Sequence, residues 1–441
     1  MDNGAKIPKD ISLPEEFERR MKKTLGGEFG DFKNSLQQEP AISIRLNPQK
    51  MRDLPGETRV PWSDTGFYLN ERPVFTLDPH FHAGAYYVQE ASSMFLEQAV
   101  KASVDLAQPL HVLDLCAAPG GKSTHLLNLI SEESLLISNE VIRTRASILS
   151  ENIQKWGRPN VVVTNNDPKD FSDLNGYFDL IVVDAPCSGE GLFRKDPAAI
   201  AEWSEENVNL CSLRQRRILS DVWPALKENG VLIYCTCTYN EAENEDNVKW
   251  LSEQKDIELI DLPLFEGVQK TTGYRFLPHK VKGEGFFISA IRKKSKEQTV
   301  RLKPTSLKIS KNDPGWLRSD HRLFELNNLL IASPDIELPP LNYVLRGVAI
   351  ATVMKNKLVP EHALALCTHL NTDTFPVIDL SKEEALKYLA KETVDPKDNE
   401  RGFALVSYSG SRLGFVNRLG NRINNLYPAN WRIRMNIRSQ L

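Results

Sequence analysis

Two cysteines stand where a reacting group is wanted. Cys187 lies in DAPCSGEG, Asp184 to Gly191, and Cys237 in YCTCT, Tyr234 to Thr238; each closes an apolar run that reads as a strand. A thiol attacks only as thiolate, and a free one has a pKa of about 8.5, so a cation or a helix N-terminus has to lower it. Arg194, Lys195 and Lys122 are the candidates for that positive field. The competing reading is that such cysteines are small buried hydrophobes. It suits Cys211 and Cys367, which sit in helical patterns, and it extends to Cys235, which shares a strand face with Cys237. A zinc site would need CxxC partners that the CxC pattern lacks, and the HxH of His80 and His82 has no third ligand, so no metal is expected.

The second chemical segment is HVLDLCAAPGGKS, His111 to Ser123. It reads as a buried strand, a tight loop and a helix start. Ala117, Ala118, Gly120 and Gly121 let the backbone approach a ligand, and the amides of the helix start offer donors to it. Glu140 closes the next apolar run about 20 residues on, where an open α/β sheet places the acid that holds a ribose. A phosphate-gripping P-loop needs glycine where Cys116 stands, and GxGxxG is absent. What is left is a Rossmann-like pocket for a nucleoside without phosphates, for which S-adenosylmethionine is the candidate. Cysteines beside a methyl donor have a chemical reason. Carbon 5 of a pyrimidine becomes nucleophilic once a thiolate adds at carbon 6, which splits one hard step into easier ones. Asp184 is expected near ring N3, its carboxyl raised by desolvation so that it donates a hydrogen bond.

These residues need a scaffold. From about 110 to 292 strands and helices alternate: VLDL, LLIS, VVVTNND, FDLIVVD and VLIYCTCT with helical segments between, which predicts a mostly parallel sheet covered on both faces. Ligands bind such sheets outside the carboxyl ends of the strands, where Glu140, Asp167, Asp184 and Cys237 converge. GEGFFISAIRKK is expected as an edge strand. Ahead of this, 1–105 reads as an α+β RNA-binding module: helices broken at Gly26-Gly27, the strand AISIRLNP with Arg45, and short strands over Trp62 to Leu77. Arg45 reads as a solvated side chain or a phosphate contact. The catalytic domain is assigned to 106–293, a basic linker to 294–313, a small α+β domain to 314–390, and a basic β module to 391–441.

The totals agree with a multidomain globular protein. The chain has 441 residues, 41% hydrophobic and 26% charged, with net charge −3 and six scattered cysteines, too few for a disulfide scaffold. It contains neither a membrane-length apolar run nor an N-terminal apolar core, so a cytoplasmic location is expected. The average charge hides an asymmetry. From Arg401 to the end there are Arg401, Arg412, Arg418, Arg422, Arg432, Arg434 and Arg438 but no Asp, Glu or Lys, the footprint of a polyanion binder.

Five stretches in order, DLCAAPGGKST, NEVIRTRASILSENIQKWG, VTNNDPKDF, FDLIVVDAPCSGEGLFRKDP and YCTCTYNEAENE, resemble the motifs of the Nop2/Sun family of RNA cytosine-C5 methyltransferases. The likeness spans roughly 35–292. It implies that Cys237 is the nucleophile, that Cys187 helps release the product and that Asp184 contacts the base, with Lys122 beside the reacting centre. It also implies that Cys116, Ala117, Ala118, Pro119, Gly120, Gly121, Lys122, Glu140, Asp167 and Asp184 line an S-adenosylmethionine site. DNA enzymes of this chemistry lack the cysteine corresponding to Cys237, so the pair favours RNA. One departure is Cys235, where many members have serine. The length and the ending RINNLYPANWRIR resemble the bacterial RsmF type, which acts on 16S ribosomal RNA and carries a PUA-like module. The expected partner is therefore 16S RNA or the 30S subunit, met by a monomer. Two alternatives stay open: the same chemistry on transfer RNA, and a catalytically silent ribosome-assembly factor.

Overall fold

The computed structural model describes residues 12–296, 308–318, 322–334, 336–355 and 357–437. The first residues of the N-terminal module, most of the 294–313 linker and Arg438 lie outside these ranges. Among the described residues no helix is long and apolar enough to cross a membrane.

The alternating pattern builds a ten-stranded mixed sheet. Its parallel core runs Val161–Thr164, Leu135–Asn139, His111–Asp114, Phe178–Asp184, Leu226–Thr236. These short Val/Leu/Ile runs are buried from both faces, as parallel strands between helices must be. Helices Gly121–Leu129, Arg143–Trp156 and Glu205–Val222 cover the faces. The register matters for the site, because Asp184 stands level with Cys235, two residues before Cys237.

Phe286–Lys293 is not an edge strand. It runs antiparallel between Leu226–Thr236 and Tyr274–Phe276, and Ile257–Leu259 also pairs with it. Its run FFISAI, apolar but for Ser289 and buried throughout, is the mark of a strand covered on both sides. The far edge is closed by Tyr343–Arg346, which pairs antiparallel with Val161–Thr164. A segment assigned to the separate 314–390 domain thus belongs to the catalytic sheet.

The C-terminal boundaries shift for a related reason. Lys308–Ile309 already pairs with Leu323–Leu326, so sheet structure begins inside the expected linker. Val377–Asp379 pairs parallel with Arg401–Tyr408, and the helix Lys382–Leu389, capped by Ser381 and Glu384, packs into the same core. The terminal module therefore starts near 375 rather than 391. Leu405 and Phe415 share a further core with Leu330 and Ile350 of the preceding five-stranded sheet and Leu364 of the helix His362–Leu366.

At the other end, the helices Glu15–Leu25 and Phe29–Leu36 are separated at Gly26-Gly27. Their Phe17 and Phe32 pack with Phe193, Trp203 and Tyr239 of the catalytic domain. Between Trp62 and Leu77 only Gly66–Tyr68 is a strand; Phe75–Leu77 is a 3-10 turn. His80 bonds Ser411 at 2.8 Å and His82 the Thr76 carbonyl at 2.9 Å, so both histidines serve packing and docking.

Arg45 is neither solvated nor free for a phosphate. It lies fully buried on Ser43–Leu46, 4.6 Å above the Trp156 ring. Its guanidinium donates to Gln89 Oε1 (2.8 Å), Thr124 Oγ1 (2.6 Å) and the Gly121 and Thr124 carbonyls (3.2 and 3.4 Å). Burial pulls its pKa down to about 9. Alongside, Asn47 donates to the Gly84 and Trp156 carbonyls, and Gly84 (φ +66°) allows that approach because a Cβ there would fall on the Lys155 carbonyl. Arg45→Met keeps the stem but strips several buried acceptors of their donor. It should lower unfolding free energy by about 3 kcal/mol in urea titrations, with Arg45→Lys in between.

Candidate active site

One carboxylate stands at the end of each of four neighbouring strands: Asp184, Asp114, Glu140 and, farthest out, Asp167. The glycine loop starts at Cys116 beside them. Gly120 takes φ +116° to begin the helix, a conformation that suits glycine. The following helix Arg143–Trp156 holds the loop: Arg145 donates to the Ala118 carbonyl and Asn152 to that of Pro119, both at 2.8 Å. Ala117 and Ala118 are buried and Pro119 is exposed, while Gly121 faces Tyr87. Glu140 is buried, accepts from the Ile142 amide (2.9 Å) and lies 3.4 Å from Arg145. Asp167 caps the turn Pro168–Phe171 through the Lys169 amide and sits 3.6 Å from Arg217.

Lys122 and Asp184 form an ion pair at 2.8 Å, with the ammonium also over the Phe286 ring. Burial works against the Lys122 charge, but Asp184 outweighs it and keeps the amine above the usual lysine range. Asp184 stands half-open beside that ammonium at the end of its strand. Burial pushes the carboxyl of Asp114, fully enclosed beneath the loop, up to about 7. Its Oδ2 accepts from Ser123 (2.6 Å) and its Oδ1 has no hydrogen-bond partner. Motif reading passed over Asp114; its signal was an acid ending the strand before the glycine loop.

A ligand for this crevice has to bring donors and positive charge. Asp114, Asp184 and Glu140 all act on the Cys116 thiol, which burial pushes up first, and Lys122 is the buried cation among them. An S-adenosyl donor carries an ammonium, a sulfonium and ribose hydroxyls, and so fits; a phosphate does not. Among the described residues no three His, Cys, Asp or Glu side chains gather as a metal centre.

The two thiols meet across the crevice. Cys187 Sγ lies 3.0 Å from Cys237 Sγ and accepts from the Cys237 amide at 3.4 Å. Both are half-buried, whereas Cys235, Cys211 and Cys367 are buried. Contact with Cys237 and burial push the Cys187 thiol well above its usual range. The expected activating cations are engaged elsewhere. Arg194 and Lys195 pair with Glu284 at 2.8 and 3.4 Å, and Lys122 pairs with Asp184. The DAPCSGEG loop is held from the side by Glu190, fully buried, which takes Arg20 (2.6 Å), Trp203 Nε1 (2.9 Å) and the Tyr239 amide (3.2 Å). Arg20 brings the N-terminal helix into the site, a role no motif announced.

Asp114 has a measurable signature. Between about pH 4 and 7 the folded chain keeps a proton there that the unfolded chain has lost, so stability falls as pH rises through that window and levels above it. Asp114→Asn should remove that fall. In urea titrations without donor, the wild type should lose more unfolding free energy than the variant from pH 4.5 to 7.5, by about 3 kcal/mol.

Three family models match in succession. The N-terminal domain of 16S rRNA methyltransferase RsmF matches residues 13–91, 16S rRNA methyltransferase RsmB/F matches 103–292, and the RsmF PUA domain matches 375–433. Ribosomal RNA small subunit methyltransferase F of Aliivibrio fischeri is 31% identical over 95% of this chain and 97% of its own. The protein of the same name from Shewanella loihica is 31% identical over 84% and 82%. A solved methyltransferase homolog from Pyrococcus horikoshii shares 27% identity with a TM-score of 0.56, covering 64% of this chain and 96% of that one. With a relative this similar along nearly its whole length, the chain belongs to the RsmF type of the Nop2/Sun methyltransferase family.

Proposed function

We propose that the protein transfers a methyl group from S-adenosylmethionine to carbon 5 of a cytosine in 16S ribosomal RNA, through a covalent bond from Cys237 to carbon 6. The observation that carries this reading is the pair of thiols in contact at 3.0 Å beside the Lys122–Asp184 pair. Asp114, Glu140 and the loop from Cys116 to Lys122 would hold the donor, with Asp167 at the outer edge. The donor supplies an electrophilic methyl group.

The remaining steps fall to this chain's side chains. A target base has to leave its stack to reach the crevice. Cys237 adds to carbon 6 as its thiol proton passes to Asp184, and Asp184 donates that proton in a hydrogen bond to N3 as charge develops there. Carbon 5 then attacks the methyl. After a base removes the carbon-5 proton, the Cys237 sulfur leaves as thiolate. Cys187, whose surroundings keep it protonated, gives that thiolate a hydrogen bond. Two adjacent thiols with different tasks give a reason for both.

RNA affinity would come from phosphate contacts on the terminal module. Arg401, Arg422, Arg432 and Arg434 are exposed there, whereas Arg418 is tied to Asp398 (3.0 Å) and Arg412 to the Cys367 carbonyl (2.7 Å). The footprint is therefore narrower than the number of arginines suggests. We further propose that the protein acts in the cytoplasm as a monomer.

The deciding measurement is labelled methyl transfer to 30S subunits, free 16S RNA and transfer RNA. Label should appear in 16S RNA as 5-methylcytosine and vanish in Cys237→Ala; label in transfer RNA alone would overturn the substrate. Cys187→Ala should trap a denaturant-resistant protein–RNA adduct and Cys237→Ala none, and the reverse would exchange the two roles. Replacing Arg432 or Arg434 should weaken RNA binding about equally across sequences. The salt slope should fall by about 1 for each phosphate the variant no longer neutralises, as read in filter-binding titrations.

A further inference from the structure

Beyond the contact of the two sulfurs with each other and the Cys237 amide on Cys187, both cysteines are held through the backbone on either side. The Cys187 loop is pinned at Pro186 and Ser188. Gln215 Nε2 donates to the Pro186 carbonyl (2.9 Å) and to Glu243 (2.9 Å). Glu243 also accepts from the Ser188 amide (2.9 Å) and from its hydroxyl. The Cys237 strand end is pinned at Thr236 and Thr238. Asn244 accepts from the Thr236 hydroxyl and donates to the Thr238 carbonyl (3.0 Å). A cross-link at 3.0 Å between the Ser188 and Thr238 hydroxyls joins the halves. Glu243 and Asn244 are consecutive and fully buried. They are themselves fixed through the Glu243 carbonyl by Tyr234 (2.6 Å) and Asn247 (3.2 Å).

We propose that Glu243 and Asn244 are the positioning residues that set the distance between the two reacting sulfurs, Glu243 governing Cys187 and Asn244 governing Cys237. One rigid dipeptide holds two loops that arrive from different strands, so the sulfur spacing is fixed by a single peptide unit. The chemistry of each side chain suits its task. Glu243 meets only donors, so it has to be a carboxylate and not an amide. Asn244 meets one donor and one acceptor, so it has to be an amide and not a carboxylate.

The inference rests on the proposed roles of the thiols, and its test separates the two. In full-length protein, Glu243→Gln should loosen Cys187 and slow release, so that adduct accumulates on RNA to at least several times the wild-type level. Asn244→Asp should loosen Cys237 and suppress adduct formation. Turnover in both should fall by roughly a hundredfold, the scale of a 1 Å misplacement. Thermal melts identify folded variants; should either fail to fold, Ser188→Ala and Thr236→Val remove one bond from each half and should act in the same directions. Wild-type turnover, or equal adduct levels in the two folded variants, would overturn the proposal.

Cys187→Ala serves as control. If it traps no adduct, the assigned thiol roles fail, and the positioning claim is then judged without RNA. Oxidised glutathione should convert the two thiols to a Cys187–Cys237 disulfide with release of two reduced glutathiones. Mass spectrometry should show this at least about tenfold slower in each variant; unchanged rates would overturn the proposal.

Discussion

A guanidinium buried without a carboxylate is the interaction on which the arrangement of modules depends. Arg45 keeps its charge only because neutral acceptors from two separate segments, and the Trp156 ring from a third, converge on it. Gln89 lies on the N-terminal module and Gly121 and Thr124 open the helix Gly121–Leu129. The same contact that solvates the charge therefore presses the first module onto the loop that would hold the donor. A fold that separated them would strand a cation in an apolar space, so the two parts form as one unit.

The crevice follows an opposite logic. There the charges are mostly carboxylates, distributed one per strand end, and only Lys122 is buried among them. Asp114 is wholly enclosed beneath the loop, and burial, with a smaller push from the neighbouring carboxylates, raises it. The thiols stand just outside this field, held by a wholly separate network of neutral amides and hydroxyls around Glu243. The proposed donor binding and the proposed covalent chemistry would thus draw on two separate sets of supports.

Much of this was legible in the chain because it is local. The parallel core, the loop from Cys116 to Lys122 and the placement of Cys187 and Cys237 at strand ends follow from short runs and their spacing. What was misread depends on distant partners. Arg45 carries no local sign of burial, since its acceptors lie some 44 to 79 positions away. Asp184 and Asp114 look alike as acids at strand ends; only the reach of Lys122 across the crevice tells them apart. Phe286–Lys293 shows its two-sided burial in its own residues, yet its place within the sheet is set by Tyr274–Phe276, which approaches it from elsewhere. The basic tail was correct in composition but not in exposure, because the acid that neutralises Arg418 lies just outside the stretch, at Asp398.

The pairing of Tyr343–Arg346 with Val161–Thr164 has a consequence for how the protein can be divided. A chain ending after Lys293 would retain every residue of the crevice, but its sheet would finish on a bare, apolar ladder of unpaired amides and carbonyls. Such margins recruit strands from neighbouring molecules. The last third of the chain therefore acts as a seal against self-association, and a shortened enzyme should fail first by clumping, with its chemistry intact.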